Sequence, residues 1–262
     1  MEDYGKISPK DFWTVVRGEK FNKPTSGVAK GYAQANLVIL PKKYALDFMI
    51  FAQRNPKPCP IIDILEPGEI TPPRSKGADI REDIPKYRIY REGVLASEEE
   101  DIRDLWQEDF VSFLLGCSFT FESALLDEGI AIKHMEQSKN VAMYQTKIPC
   151  EKGGIFEGNM VVSMRPFKGK DLTKVIQITS NFPEVHGAPI HIGNPEEIGI
   201  KDINKPEYGD PISIEKDEIP VFWACGVTPQ LVALKAKPKI MITHAPGYMF
   251  VTDIKNEELS KD

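Results

Sequence analysis

The chain has 262 residues, 41% of them hydrophobic, enough to bury a full core as one large domain or one domain carrying an insertion. Its 33 basic and 39 acidic side chains give a net charge of -6 with no basic block, which argues against nucleic acid or an anionic membrane as the main partner. No apolar run approaches the roughly 18 to 20 residues that span a bilayer, and the N-terminus MEDYGKISPKDFW lacks a basic-then-apolar signal, so a cytoplasmic protein is expected.

In chain order, YALDFMIFAQRN groups its apolar residues with helical spacing, PKPCP stops that helix, and CPIIDIL reads as a buried strand. Residues 71–92 turn polar and charged, which predicts a surface excursion with one short strand, KYRIY. SEEEDIRDLWQEDFVSFLLG predicts a helix with Ser97 as N-cap, an acidic first turn, an apolar face of Ile102, Leu105, Trp106, Phe110, Phe113 and Leu114, and Gly116 at its end. Shorter units follow over 119–183: a helix at ESALLDEG, strands at VAMYQTKIP and NMVVSMRPF, and a helix at DLTKVIQITSNF. This change of pattern predicts an inserted α+β domain over 119–183, within a main α/β domain made of 1–118 and 184–262. PIHIG, IPVFWACG and KIMITHAPGYMFVTD then return to β-rich runs, with TPQLVALKA as a helix opened by Thr228 and Pro229. No internal repeat, heptad or low-complexity tract is evident.

Three of the four histidines, His186, His191 and His244, stand in Gly/Pro-punctuated segments beside strand-like runs, HGAPIHIG and THAPGY, an arrangement that suits catalysis. A metal site would draw on these three and Asp253. The odd spacing in HGAPIH and the absence of HExxH or paired carboxylates weigh against it, and no metal is assigned. The four cysteines lie too far apart for a zinc cage. In LLGCSFTFESAL, Cys117 and Ser118 precede a helix that carries Glu122, so its free amides could hold an anion beside a thiol; a buried apolar Cys117 is the plain alternative. FWACGVTPQ repeats that logic with Cys225, Thr228 and Gln230, where Thr228 as a simple cap is the plain alternative. Arg165 in VVSMRPF offers a guanidinium fork for a carboxylate or a surface ion pair, and Arg54 with Asn55 reads locally as a helix-end cap. Walker, dinucleotide and GxSxG motifs are absent, which disfavours nucleotide, NAD and serine-hydrolase chemistry. No cofactor is specified.

The blocks QANLVILP, FAQRNPKPCPIID, FLLGCSFTFESAL, VAMYQTKIPC, VVSMRP, VHGAPIHIG, PVFWACGVTPQ and ITHAPGYMFVTD, in this order, resemble the signature of the YcsI-type hydro-lyase family, also called DUF1445. The resemblance implies a layered α/β/α main domain with an inserted α+β domain. It also implies water-eliminating chemistry on a small carboxylate or amino acid, with D-glutamate cyclisation to 5-oxo-D-proline as one form. The chain departs from the family pattern at Tyr248, where histidine is frequent. In such a reaction Arg165, Arg54, Ser118, Glu122, His186, Thr228 and Gln230 are the expected substrate contacts, and His191, His244, Cys117 and Cys225 the expected proton carriers or nucleophiles. The competing reading is a non-catalytic carboxylate or amino-acid binding module, or a subunit of another enzyme. Expected partners are the small-molecule substrate and further copies of the chain, with neither nucleic acid nor membrane.

Overall fold

The structure, a computed structural model, describes residues 4–18 and 21–261. Its helices and strands alternate as α1 (Pro9–Arg17), β1 (Tyr32–Pro41), α2 (Lys42–Arg54), β2 (Ile61–Leu65), β3 (Tyr87–Arg91), β4 (Val94–Glu99) and β5 (Phe110–Gly116). There follow α3 (Phe119–Asp127), α4 (Lys133–Glu136), β6 (Ala142–Pro149), β7 (Asn159–Lys168), α5 (Leu172–Ser180), β8 (His191–Ile192), β9 (Glu218–Ala224), α6 (Thr228–Ala236), β10 (Met241–His244) and β11 (Phe250–Lys255). The α/β composition takes the form of two antiparallel sheets, one ordered β2-β5-β1-β10-β3-β4 with β11 also on β1, the other β6-β7-β9-β8. Residues 119–183 supply α3, α4, β6, β7 and α5, and the second sheet runs on past residue 183 because β7 pairs with β9.

The helix expected over 97–116 is absent. Ser97 lies in β4, a short 3-10 turn covers Arg103–Leu105, and FVSFLLG forms β5, a central strand buried on both faces. A short continuous apolar run fits a doubly covered strand as well as a helix, and pairing with β1 and β2 decides it. Gly116 therefore ends a strand. The excursion around 71–92 is also less superficial than its composition suggests: Ile80, Ile84 and Asp83 are fully buried, and Arg17 holds Asp83 at 2.6 Å.

The two sheets repeat one another, contrary to the sequence reading. The segment β1, α2, β2, β5, α3 matches β7, α5, β8, β9, α6 in order and in register. Ala35 faces Gly116 and Leu37 faces Leu114, as Val162 faces Ala224 and Met164 faces Phe222. Ile64 faces Phe113 as Ile192 faces Val221. The strand after each final helix is exchanged: β6 follows α3 yet pairs with β7, while β10 and β11 follow α6 yet pair with β1. Reciprocal exchange relates the halves as a quasi-two-fold pair. The inserts 66–109 and 193–217 differ in length and content, which hides the repeat from a linear scan.

Each final helix also crosses to the other half. Val232 and Ala233 of α6 join α2 residues Phe48 and Phe51 on the Val38 face of the first sheet, whereas Phe121 and Leu125 of α3 join Val175 of α5 against Trp223 and Phe167. The crossings are close. A Cβ at Gly226 would collide with the Asn36 amide, and one at Gly116 with the Glu184 carbonyl. Gly116→Ala is therefore expected to cost about 1–3 kcal/mol or more by overpacking against backbone. Urea unfolding checks this, with Gly169→Ala, whose Cβ would meet only Ile219 Cδ1 at 3.7 Å, staying near wild type.

Candidate active site

The crossings are two matching elbows. In the first, the Cys117 amide donates to Gln34 O at 3.1 Å, the Gln34 amide to Thr120 Oγ1 at 3.2 Å, and the Thr120 amide to Cys117 O at 3.0 Å. In the second, the Cys225 amide donates to Val161 O, the Val161 amide to Thr228 Oγ1, and the Thr228 amide to Cys225 O, each at 3.0 Å. Cys-x-x-Thr-x-Glx is thus a structural unit: the threonine locks each turn to the neighbouring strand, and Thr228 is a brace, with Val227 as the N-cap position. Each turn leaves its second amide, that of Ser118 or Gly226, without a partner among the described residues, although both residues are buried. Buried amides of this kind are rare and suit an anion. Cys117 and Cys225 share one apolar cluster with Met249, and burial pushes both thiols up, Cys225 to about 11.

Beside the first elbow lies a buried charge cluster. Arg165 has no exposed surface; its Nε donates to Glu122 Oε1 at 2.7 Å, Nη1 to Ser163 Oγ at 3.0 Å and Nη2 to Ser118 Oγ at 2.9 Å. Phe121 and Trp223 flank the guanidinium, with ring centroids 5.4 and 5.6 Å from its carbon. Ser26 Oγ donates to Glu122 Oε2 at 3.1 Å, and His134 Nε2 lies 3.4 Å from Oε1. Burial works to raise the Glu122 pKa, but Arg165 and His134 outweigh it and hold the carboxyl down to about 2. Arg165 therefore meets an internal carboxylate instead of an open site, and it anchors Ser118.

His186 stands on the loop that packs against Gly116, in the left-handed region at φ 86°, a strained conformation for a residue with a side chain. Its Nδ1 is 2.6 Å from Lys57 O; a carbonyl only accepts, so Nδ1 carries the proton and Nε2 keeps a lone pair. Burial lowers its pKa to about 4 and the ring stays neutral. Lys57 answers by donating from Nζ to Ala188 O at 3.0 Å, so the loops before β2 and β8, equivalent in the repeat, touch one another where the elbows meet.

The structure brings together Cys117, Ser118, Glu122, Arg165, His186 and Cys225. Thr228 braces the second elbow, and the others lie elsewhere. Arg54 is exposed and donates to Lys152 O, a helix-end role. His191 sits on short β8 with Nε2 2.7 Å from Asn194 O. His244 accepts the Leu37 amide at Nδ1, 3.1 Å away, where the β1 ladder passes from β10 to β11, and Gln230 bridges Tyr90 Oη and His244 O. Sequence reasoning missed Asn36, Ser163, Lys57 and His134. Asn36 and Ser163 carried a usable signal, a polar residue inside an apolar strand. Among the described residues no three His, Cys, Asp or Glu side chains gather as metal ligands, and no helix is long and apolar enough to cross a membrane.

Against known proteins, residues 111–253 match the sequence model of the D-glutamate cyclase family. A Geobacillus kaustophilus protein named "Putative hydro-lyase" is 59% identical over 254 residues, covering 97% of each chain. "Putative hydro-lyase YcsI" of Bacillus subtilis is 54% identical, covering 97% of this chain and 99% of that one. A Thermoanaerobacter protein, also named "Putative hydro-lyase", is 56% identical over 98% of both chains.

Glu122→Gln leaves Arg165 buried without a counter-charge and is expected to cost about 3–5 kcal/mol in urea unfolding at neutral pH. Because the folded pKa of Glu122 is depressed to about 2 from 4.5, its contribution is fully present above 4.5 and disappears as pH falls through about 2. His186 and His244, depressed to about 4 from 6.5, add a loss over that higher window. The difference between wild type and Glu122→Gln is expected to shrink below pH 4.5 and persist between 4.5 and 6.5, as acid titrations of both proteins would read.

Proposed function

Because the chain belongs to the D-glutamate cyclase family, a family of lyase-type enzymes, we propose that its substrate is D-glutamate, closed to 5-oxo-D-proline with loss of water between the two elbows. The observation that carries the reading is the pair of unpartnered buried amides, Ser118 and Gly226, beside a neutral His186. Cyclisation joins the α-nitrogen to the γ-carboxyl carbon and breaks one carbon–oxygen bond. The two protons the ammonium loses are the two that leave with the oxygen as water, so no other reactant is needed. The step requires a base for the ammonium and donors for the carboxyl oxygens as negative charge builds on them. His186 Nε2 is the base, fixed in its tautomer by Lys57 O. The Ser118 and Gly226 amides are the oxyanion donors, rigid because Thr120 and Thr228 lock their turns. Arg165 fixes Ser118 and adds positive potential without contacting substrate.

Proton NMR of the purified chain with D-glutamate, L-glutamate and 5-oxoproline tests the reading. Conversion of D-glutamate alone is the expected result; no lactam from either enantiomer would overturn it. His186→Asn is expected to lower kcat by about 10²–10⁴-fold with KM little changed, as for loss of a general base.

A further inference from the structure

The cyclisation leaves two buried nucleophiles unused. Cys117 and Cys225 are free thiols at the same position of the two repeats, each the first residue after a strand, in the turn that leads to a helix. The Phe119 amide donates to Cys117 Sγ at 3.5 Å, and the amide of Val227, the equivalent residue, favours the Cys225 thiolate against burial. Burial raises both thiols while the Arg165 charge opposes it at each, and Val161 and Met249 pack in the same cluster. Two-fold mates approach a molecule on their axis from opposite sides, and the unpartnered amides of Ser118 and Gly226 adjoin these sulfurs. No other pair of nucleophiles among the described residues has this relation.

We propose that Cys117 and Cys225 flank the α-carbon of the amino acid held on the elbow amides and transfer its proton from one face to the other, so that the protein also interconverts D and L enantiomers. The proposal rests on the reading that a small amino acid or its lactam binds at the elbows. One sulfur, ionised by loss of its proton to solvent against the burial that raises both thiols, takes the α-proton, and the electron pair of the broken C–H bond spreads into the adjoining carboxylate. The Ser118 and Gly226 amides, aimed at carboxylate oxygens, stabilise that charge. The opposite thiol delivers its proton to the other face, and the pair ends with its protonation states exchanged, to be reset through solvent. Carbon is neither oxidised nor reduced. The quasi-symmetry explains why both hands of the substrate meet equivalent chemistry, while the cyclisation uses groups outside the thiol pair.

The test is α-proton exchange of D-glutamate, L-glutamate and both 5-oxoproline enantiomers in D2O with the full chain, followed by proton NMR and chiral chromatography. Wild type is expected to wash out the α-proton and interconvert the enantiomers. Cys117→Ser and Cys225→Ser are each expected to lose interconversion by about 10²–10⁴-fold, and each to keep wash-out of one enantiomer, opposite between the two variants. Where a serine variant unfolds by circular dichroism, the alanine variant, which keeps the apolar contact, carries the same expectation. Lactam formation without α-exchange in wild type would overturn the thiol pair and leave the cyclase reading intact. Exchange without lactam formation would overturn the cyclase and keep the pair. Interconversion unchanged in both folded variants would overturn the pair outright.

Discussion

A guanidinium with no exposed surface has to be neutralised inside the protein, and the way Arg165 meets that demand organises the molecule. The arginine belongs to β7 in the second sheet and Glu122 to α3, which enters from the first. Their pairing therefore holds only when α3 has crossed between the halves. Isolated burial of either charge would cost several kcal/mol, so the crossing is enforced electrostatically as well as by the apolar contacts of Phe121 with Trp223. Two further donors on Arg165 go to Ser118 and Ser163, which ties the elbow turn to the same point. Orientation of the first elbow follows from charge neutralisation inside the protein.

The elbows also depend on the absence of side chains. Gly226 rests on the Asn36 amide, whose Nδ2 donates to Gly116 O at 2.9 Å, while Gly116 itself lets the 184–186 loop come down on backbone. Asn36 thus packs against the second elbow while its amide is hydrogen-bonded to the strand end that carries the first. His186 is held over this junction in a conformation that costs about 1–3 kcal/mol, sustained by its contact with Lys57 O and the burial of its ring. Strain, buried unpaired amides and a depressed imidazole pKa fall on one spot, which is where chemistry is expected to sit.

Much of the fold was legible where a local signal was unambiguous. PKPCP after YALDFMIFAQRN ended α2 as read, and Thr-Pro opened α6. The reading failed at 97–116 because FVSFLLG has no period to separate a helix from a strand buried on both faces, and the acidic run before it imitates a helix start. At the site, the residue types were visible but their partners were not. Arg165 looked like a fork awaiting a carboxylate, and the carboxylate it meets is Glu122, 43 residues earlier. His134 passed unnoticed because it sits in polar KHME, yet it is fully enclosed beside Glu122. The repeat escaped because its conserved content is small, Cys-x-x-Thr-x-Glx and a register, and a register is a property of pairing that a linear scan does not see.

The duplication explains how one site can be symmetric in its backbone and asymmetric in its charge. Position by position, Cys117 matches Cys225 and Thr120 matches Thr228, so sulfurs, turns and free amides come in pairs. Glu122, however, matches Gln230, Arg165 matches Val38, and Ser118 matches Gly226. A second buried ion pair at the equivalent place would have doubled the desolvation cost and aimed the field from both sides alike. With Gln230 instead tied to Tyr90 and the His244 carbonyl, the second half contributes a neutral, hydrogen-bonded wall. The paired groups are what the proposed chemistry on a carboxylate or α-carbon requires from two sides, and the single charged cluster is what makes those sides unlike.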